Sequence, residues 1–496
     1  MCQFCGIDPA FAAYFEKDDQ PHQDAAAPTS SDAPNYFRMK PNHPRYSKLT
    51  TPQLTTFAGK LSANAKVIAP HQQPEFEQAS KRWSKFAAKK ALAIIQVATP
   101  EDVSKTVILA TSHAIPFVVK GGGHSPKGAS SSQGGLVIDL SRMRAVHVKA
   151  EECLVIAEGG CLASDVLKAT SPYGLACVTG TTSHVGMGGL TLGGGYGYLT
   201  GLHGLALDNL MGAQVVTADG QILTVNDKEH ADLFWGLRGA GNRLAVVTKL
   251  IIQAHAIPRQ VWTGTLVFGA DQLDVVIDAL NAWYDQHDAK ASAALSMGDG
   301  DDLTISLFYN DDDGSVAEAN FAPLLSLNGK SSTTQTMPFW KVNTLGDQPF
   351  LDVSLAFDSA NVAPPLKAAH LKHIHDTMTQ VPRSWPGCKT GMYLLMVQPD
   401  GVLRKNNTAF PWRDDHFDVG LNVVWTETGP APAPLIDWLH DTLQPAANAQ
   451  GQADRLYSNH SDFCGPAAHE FGDHLQRLQQ LKAKWDPHGV FCPLPL

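Results

Sequence analysis

The stretch VVKGGGHSPKGAS, residues 118–130, sets one imidazole, His124, directly behind three glycines and four residues before Gly128. Glycine has no Cβ, so its backbone N–H can approach a ligand closely and its φ can turn positive without strain. A histidine inside such a run either fills a tight loop or is the one side chain meant to touch the ligand. The flanks supply the fold. PFVVK before the loop and GGLVIDLSRM after it are short apolar runs that predict strands. The glycine loop therefore lies between two strands of an α+β fold.

Working outward, ALAIIQVA (91–98) predicts a strand and TPEDVSKTVILATSHAI (99–115) a helix capped by Thr99, with Pro100 and two acids in its first turn. Residues 74–94 predict a further helix. Residues 18–55, rich in Asp, Pro, Ser and Asn, predict irregular chain, with a leader over 1–44. Downstream, CLVIAEGGCLASDVLKAT (153–170) repeats strand, turn and helix, and AQVVTADGQILTV (213–225) predicts a hairpin around Asp219-Gly220. No repeat of 20–50 residues is visible.

A second cluster, GTTSHVGMGGLTLGGGYGYLTGLHGLALDNL (180–210), holds ten glycines interleaved with apolar residues. Flexible linkers lack Tyr, Leu and Val at such places. The cluster predicts backbone wrapped closely around a large flat or polyphosphate ligand. RGAGNRLA (238–245) invites a nicotinamide-cofactor reading, but that fingerprint needs a strand before it and a helix after it. Here ADLFWGLR predicts a helix and LAVVTKLIIQA a strand, the reverse order.

Composition bounds the function. The 496 residues, 44% of them hydrophobic, allow two or three domains. A net charge of −10 and a pI near 6.0 leave no basic surface for a general nucleic-acid role. No apolar run approaches the roughly 20 residues needed to cross a bilayer. The N-terminus has neither the basic start nor the apolar stretch of a secretory signal, so an intracellular location is expected. Eight cysteines are too sparse for a disulfide scaffold. Cys2 and Cys5 form a lone Cys-x-x-Cys with no second pair at zinc spacing, and no metal site is expected.

VVKGGGHSPKGASSSQGGLVIDLSRM, VGMGGLTLGGGYGYLTGLHGLALDNL, ADLFWGLRGAG and YSNH…RLQQLKAKWDPHGVF together resemble the berberine-bridge-enzyme-like FAD-linked oxidases of the wider vanillyl-alcohol-oxidase superfamily. The likeness runs in order from about Trp83 to the C-terminus. It implies FAD bound covalently through His124, whose ring nitrogen would join the 8-methyl carbon of the flavin. Gly121, Gly122, Gly123, Ser125 and Gly128 of the first cluster, and Thr182, Val185, Gly186, Gly188, Gly189 and Gly193 of the second, complete the implied cofactor site with Tyr457 and Asn459. Many members attach the flavin again through a cysteine three residues before the Val-Gly. Here that position is Thr182, and Cys177 stands five residues too early, so a single tether is expected. Val185 matches the position where a valine leaves room for oxygen beside the ring.

The same likeness supplies acid–base candidates. His460 ends the Tyr-x-Asn-x motif where relatives often carry a tyrosine that helps deprotonate the substrate, and a histidine suits base work near neutral pH. Tyr196 matches a second tyrosine at the substrate side of the ring. In HFDVGLNVVW (416–425), alternation puts Phe417, Val419, Leu421 and Val423 on one face and His416, Asp418, Gly420 and Asn422 on the other. Relatives aim a Glu, Gln or Asp of this strand at the flavin, and the spacing leaves Asp418, Gly420 and Asn422 open for that place. Arg243, Leu244 and Ala245 replace the Asn-Phe-Gly common in relatives, which bears on the local backbone path.

The implied architecture is a PCMH-type FAD-binding domain of two α/β subdomains over 45–255, rejoined by 455–496. A substrate domain over 256–454 would carry an antiparallel sheet backed by helices. The implied activity is an oxidase that takes hydride from an alcohol, sugar, amine or secondary-metabolite substrate and passes electrons to molecular oxygen, giving H2O2. The alternatives are a dehydrogenase with another acceptor, or a flavoprotein whose flavin is scaffold for a cyclisation.

Overall fold

The computed structural model describes residues 49–126, 128–347, 353–403, 407–425, 433–449, 455–460 and 466–491. The expected leader, with Cys2 and Cys5, lies outside them. Two larger sheets build the N-terminal half, beside a two-stranded ribbon that pairs Leu175–Ala176 with His255–Ala256. In the first, Lys66–Ile68, Ala93–Gln96, Leu136–Asp139 and Phe117–Lys120 lie in that order, the last three mutually parallel. The helix Pro100–Ser112 makes a crossover, its first turn capped by the Thr99 hydroxyl accepting from the Asp102 N–H at 3.2 Å. The second sheet is antiparallel and runs Val146–Lys149, Leu154–Glu158, Val246–Gln253, Leu210–Val216, Ile222–Asn226. Its hairpin turns at Asp219-Gly220, where Gly220 has φ +84°.

A seven-stranded antiparallel sheet occupies the C-terminal half, in the order Ser331–Met337, Val261–Gly269, Asp302–Tyr309, Ala291–Gly298, Cys388–Val397, Phe417–Trp425, Ser354–Val362. One face is apolar for the reason the alternation gives. Phe417, Val419, Leu421 and Val423 share a buried core with Leu394, Met396, Leu295 and Ile305. The helix Leu273–Tyr284 lays Val276, Ile277, Leu280 and Trp283 onto that face at helical spacing. The opposite face carries Asp418, Gly420 and Asn422 beside Tyr393, Phe357, Ser359 and Asn361. That face meets the second glycine cluster through Tyr457, whose ring lies against both Tyr196 and His460, the partner of Asp418. The helix Leu475–Trp485 packs Leu478 and Leu481 into the core of the second sheet, and Val490 and Phe491 join that of the first.

Two local expectations are corrected. The predicted irregular chain up to 55 is already helical over Thr51–Ala58, because Thr50 and Gln53 form a capping box and Pro52 sits in the first turn. The helix expected over 74–94 spans only Glu75–Ser80. The Arg82 guanidinium donates to the carbonyls of Ala79, Ser80 and Lys81, closing the helix end. The chain beyond then bonds the edge strand Ser354–Val362, the Ser84 hydroxyl donating to Leu355 O at 2.7 Å and accepting from its N–H at 2.9 Å. Backbone donors satisfied by a neighbouring sheet edge outweigh helical periodicity here.

Candidate active site

The two glycine clusters meet backbone to backbone. A Cβ on Gly122 would strike the N and Cα of Gly186, and one on Gly186 would strike Gly122. Only glycine permits this contact. The second cluster is not all loop, since Met187–Gly193 is helical. Gly121 and Gly188 both face the Gly159 carbonyl, at 3.5 and 3.2 Å from where their Cβ atoms would stand. Gly189 borders open space. Gly123 has φ +75° and its carbonyl accepts from the Trp83 N–H at 3.1 Å. Gly128, at φ +72°, donates to Ser125 O, and the Ser125 hydroxyl accepts from Ala129 N–H, so Ser125 shapes the loop. The hydroxyls of Ser130, Ser131 and Thr191 are buried beside these clusters with no hydrogen-bond partner.

His124 projects from the first cluster, half-buried. Trp83 stacks on it at 5.2 Å and His184 at 4.7 Å. Desolvation, then the neighbouring His184, hold its pKa down to about 3, so the ring is neutral near pH 7. Thr182 and Val185 lie on the turn that opens the second cluster, joined by a long 3.5 Å backbone contact. Burial pushes the Cys177 thiol up to about 12, which leaves it an inert core thiol.

A second group gathers on the polar face of the seven-stranded sheet. His460 Nδ1 lies 2.5 Å from Asp418 Oδ2 and 2.6 Å from the Tyr393 hydroxyl. The Tyr393 hydroxyl is also 3.3 Å from Asp418 Oδ2. A carboxylate only accepts, so Nδ1 carries the proton and Nε2 keeps its lone pair. Asp418 Oδ1 is buried and has no partner. Burial, then Asp418, push the Tyr393 phenol well above its ordinary value, so it is a neutral donor.

Beside it runs a parallel chain. The Tyr196 hydroxyl lies 2.8 Å from His416 Nε2, and His416 Nδ1 reaches the Asp414 carbonyl at 3.0 Å and its carboxylate at 3.2 Å. Desolvation would raise the Asp414 carboxyl, but hydrogen bonds from His416 and Arg455 outweigh it and hold the group well below the usual range. Tyr457 stands between the two chains, its ring edge-on to Tyr196 at 5.2 Å and to His460 at 4.7 Å. Its hydroxyl accepts from Gly195 N–H at 2.9 Å and from Asn459 Nδ2 at 3.0 Å. Asn459 also donates to Leu190 O, and its side chain fills the space a Cβ on Gly193 would need.

Of the strand candidates, Asp418 is joined to His460. Gly420 is roofed by the rings of Tyr393 and Phe357, leaving no room for a side chain. Asn422 lies beside Gly391, about 13 Å further along the strand at ~3.3 Å per residue, and is not brought to His460. Tyr393, Asp414, Trp83 and His184 were missed from sequence, while His416 was placed on the polar face but given no role. The Arg243–Ala245 departure is absorbed by the core: Leu244 and Ala245 are fully buried, while Arg243 pairs with Glu470 at 2.8 Å.

Residues 91–226 match the family described as FAD binding domain. An FAD-linked oxidoreductase, pgmH of Aspergillus terreus, is 41% identical over 84% of this chain and 90% of its own. The chain belongs to the FAD-linked oxidoreductases. Among solved structures, 6-hydroxy-D-nicotine oxidase of Arthrobacter nicotinovorans is 25% identical and superposes with a TM-score of 0.75 over 90% of this chain and 98% of its own. BBE-like 1 of Physcomitrella patens, 20% identical, covers 89% and 99% with a TM-score of 0.78 and shares the fold. The glycine contact, the open space at Gly189 and the unpartnered hydroxyls fit this family's FAD. Among the described residues no helix is long and apolar enough to cross a membrane, and no cluster could hold a metal ion.

Proposed function

We propose that this FAD-dependent oxidoreductase is an oxidase of a small molecule, holding its flavin covalently through His124 and by no second bond. Residues 45–255 and 455–496 hold the cofactor, and 256–454 present the substrate sheet. Bound there, FAD would supply the acceptor for a hydride from a substrate C–H and the route of the electron pair to molecular oxygen, with H2O2 as product. Gly121, Gly122, Gly123, Ser125, Gly128, Gly186, Gly188, Gly189 and Gly193 line its path, with Thr182 and Val185 at the turn. Tyr457 and Asn459 anchor the segment that carries His460.

The protein's own part is to move a proton. Hydride leaves a carbinol or amine carbon readily only if the adjoining O–H or N–H proton departs too. His460 Nε2 accepts it, and Asp418 fixes the tautomer and stabilises the imidazolium that results. The Tyr196 hydroxyl donates to His416 Nε2, which leaves its oxygen and ring to position the substrate. The convergence of Asp418 and Tyr393 on His460 Nδ1, at 2.5 and 2.6 Å, carries this reading.

Anaerobic mixing with a panel of carbinols, sugars, amines and phenolic metabolites tests it. One class should bleach the flavin, and admitted air should restore the colour with one H2O2 per turnover. Turnover of a substrate without bleaching would show the flavin to be scaffold. Bleaching that air does not reverse would point to another acceptor.

A further inference from the structure

The contact between His124 and His184 has no part in the reaction above, yet it joins His124 Nε2 to His184 Nδ1 at 2.6 Å. At that separation one nitrogen donates and the other accepts. Asp347 biases the choice. Its Oδ1 stands 3.7 Å from His184 Nε2, and the carboxylate is held in place by the Ser183 N–H at 2.9 Å and the Ser183 hydroxyl. At 3.7 Å this is an ionic contact and not a hydrogen bond, and the field of the carboxylate favours the tautomer of His184 with its proton on Nε2. His184 Nδ1 is then the acceptor, His124 Nε2–H the donor, and His124 Nδ1 bears the lone pair.

Alkylating the Nδ1 of an imidazole that still carries Nε2–H creates a cation. Desolvation already holds the His124 pKa down to about 3, so this place disfavours a charged ring. The Nε2 proton has to leave as the new bond forms, and His184 is the group in contact with it.

We propose that His184, with Asp347 behind it, is the proton acceptor for attachment of the flavin to His124. The proposal rests on the reading that His124 carries the flavin. The flavin 8-methyl group loses one C–H proton to solvent, and a bond forms from His124 Nδ1 to that carbon. The His124 Nε2 proton passes to His184 and on to solvent. The ring system gains the electron pair, which molecular oxygen removes with two protons as H2O2. One C–H and one N–H are lost, one C–N bond is gained, and O2 is reduced.

The test uses full-length protein prepared without flavin, mixed with FAD in air. Acid-stable flavin in the precipitate is followed over time, with intact mass as a check. The wild type should acquire acid-stable flavin. His184→Gln should do so at least about a hundredfold more slowly while still binding FAD reversibly, seen as a rise in Tm on adding FAD. Asp347→Asn, which leaves both rings in place, should slow it about tenfold and keeps the comparison open if His184→Gln does not fold. In His184→Ala, added imidazoles should restore attachment in the order of their basicity, which a space-filling role would not produce. Attachment at the wild-type rate in His184→Gln, or rescue indifferent to basicity, overturns the proposal. A wild type with no acid-stable flavin overturns the His124 reading and this proposal with it, an outcome distinct from the other two.

Discussion

Replacing Asp418 by Asn removes one charge and leaves the shape of the strand intact. On the proposed reading its effect can be sized from the structure. The hydrogen bond to His460 Nδ1 is 2.5 Å long, with Asp418 6% and His460 32% exposed at the side chain. Charge centres about 4 Å apart interact by ~4 kcal/mol at an effective dielectric near 20 and ~1 kcal/mol in water. A third of the His460 ring meets solvent, which puts the imidazolium stabilisation at about 2–3 kcal/mol, roughly 30- to 150-fold in rate. An asparagine amide can also donate to Nδ1, which would move the ring proton to Nε2 and block it as acceptor. Stopped-flow reduction of the flavin without oxygen, using a substrate found in the panel, reads the step directly. Asp418→Asn should slow reduction by roughly that factor, and His460→Ala by at least about tenfold, with reoxidation by oxygen largely unchanged in both. Wild-type reduction in Asp418→Asn would refute the dyad. Slow reduction there with a wild-type rate in His460→Ala would make the carboxylate itself the base.

Tyr393→Phe should slow the same step by about three- to tenfold, less than Asp418→Asn, because it removes a neutral hydrogen bond and leaves the charged one; an equal or larger loss would contradict that ranking. Gly122→Ala drives a Cβ into the Gly186 backbone, so purified protein should contain little or no flavin and melt several degrees lower, while Gly346→Ala, with nothing within 4 Å of its Cβ, should match the wild type by absorbance and differential scanning fluorimetry. His124 titrates near 3 in the folded, flavin-free chain against about 6.5 unfolded, so the unfolded state binds more protons between those values. Stability of the flavin-free protein should therefore fall as pH drops from about 6.5 towards 3, and His124→Asn should flatten that part of the denaturant-measured profile.

How far sequence reaches is clearest on the strand Phe417–Trp425. Side chains alternate with period two, so the apolar set marked its own face, and Asp418, Gly420 and Asn422 were left on the other. Choosing among them needed partners. His460 lies 42 residues beyond Asp418 and Tyr393 lies 25 before it, and nothing local encodes that meeting. Tyr393 sits in MYLLMV, where an aromatic residue reads as strand packing. The glycines of both clusters were legible as a cofactor site, but the closure of Gly122 on Gly186 is a tertiary contact. The failed helix after Ser80 shows the reverse case, where periodicity was present but Arg82 and the Leu355 edge satisfied the backbone another way.

The two Tyr–His–Asp chains on this face look alike, and burial separates their parts. The His416 side chain is 1% exposed and its nitrogens are taken by Tyr196 and Asp414. His460 is 32% exposed, with Nδ1 held at 2.5 Å by Asp418 and Nε2 at a longer 3.3 Å from the Tyr393 hydroxyl. A substrate can therefore reach His460 itself but meets His416 only through the Tyr196 hydroxyl. Burial, followed by Tyr457 and Asp418, pushes the Tyr196 phenol well above its ordinary value, so it stays protonated across the working pH range. The proposed division of labour follows: His460 takes the proton outright, while Tyr196, its own proton committed to His416 Nε2, positions the substrate through its ring and phenol oxygen.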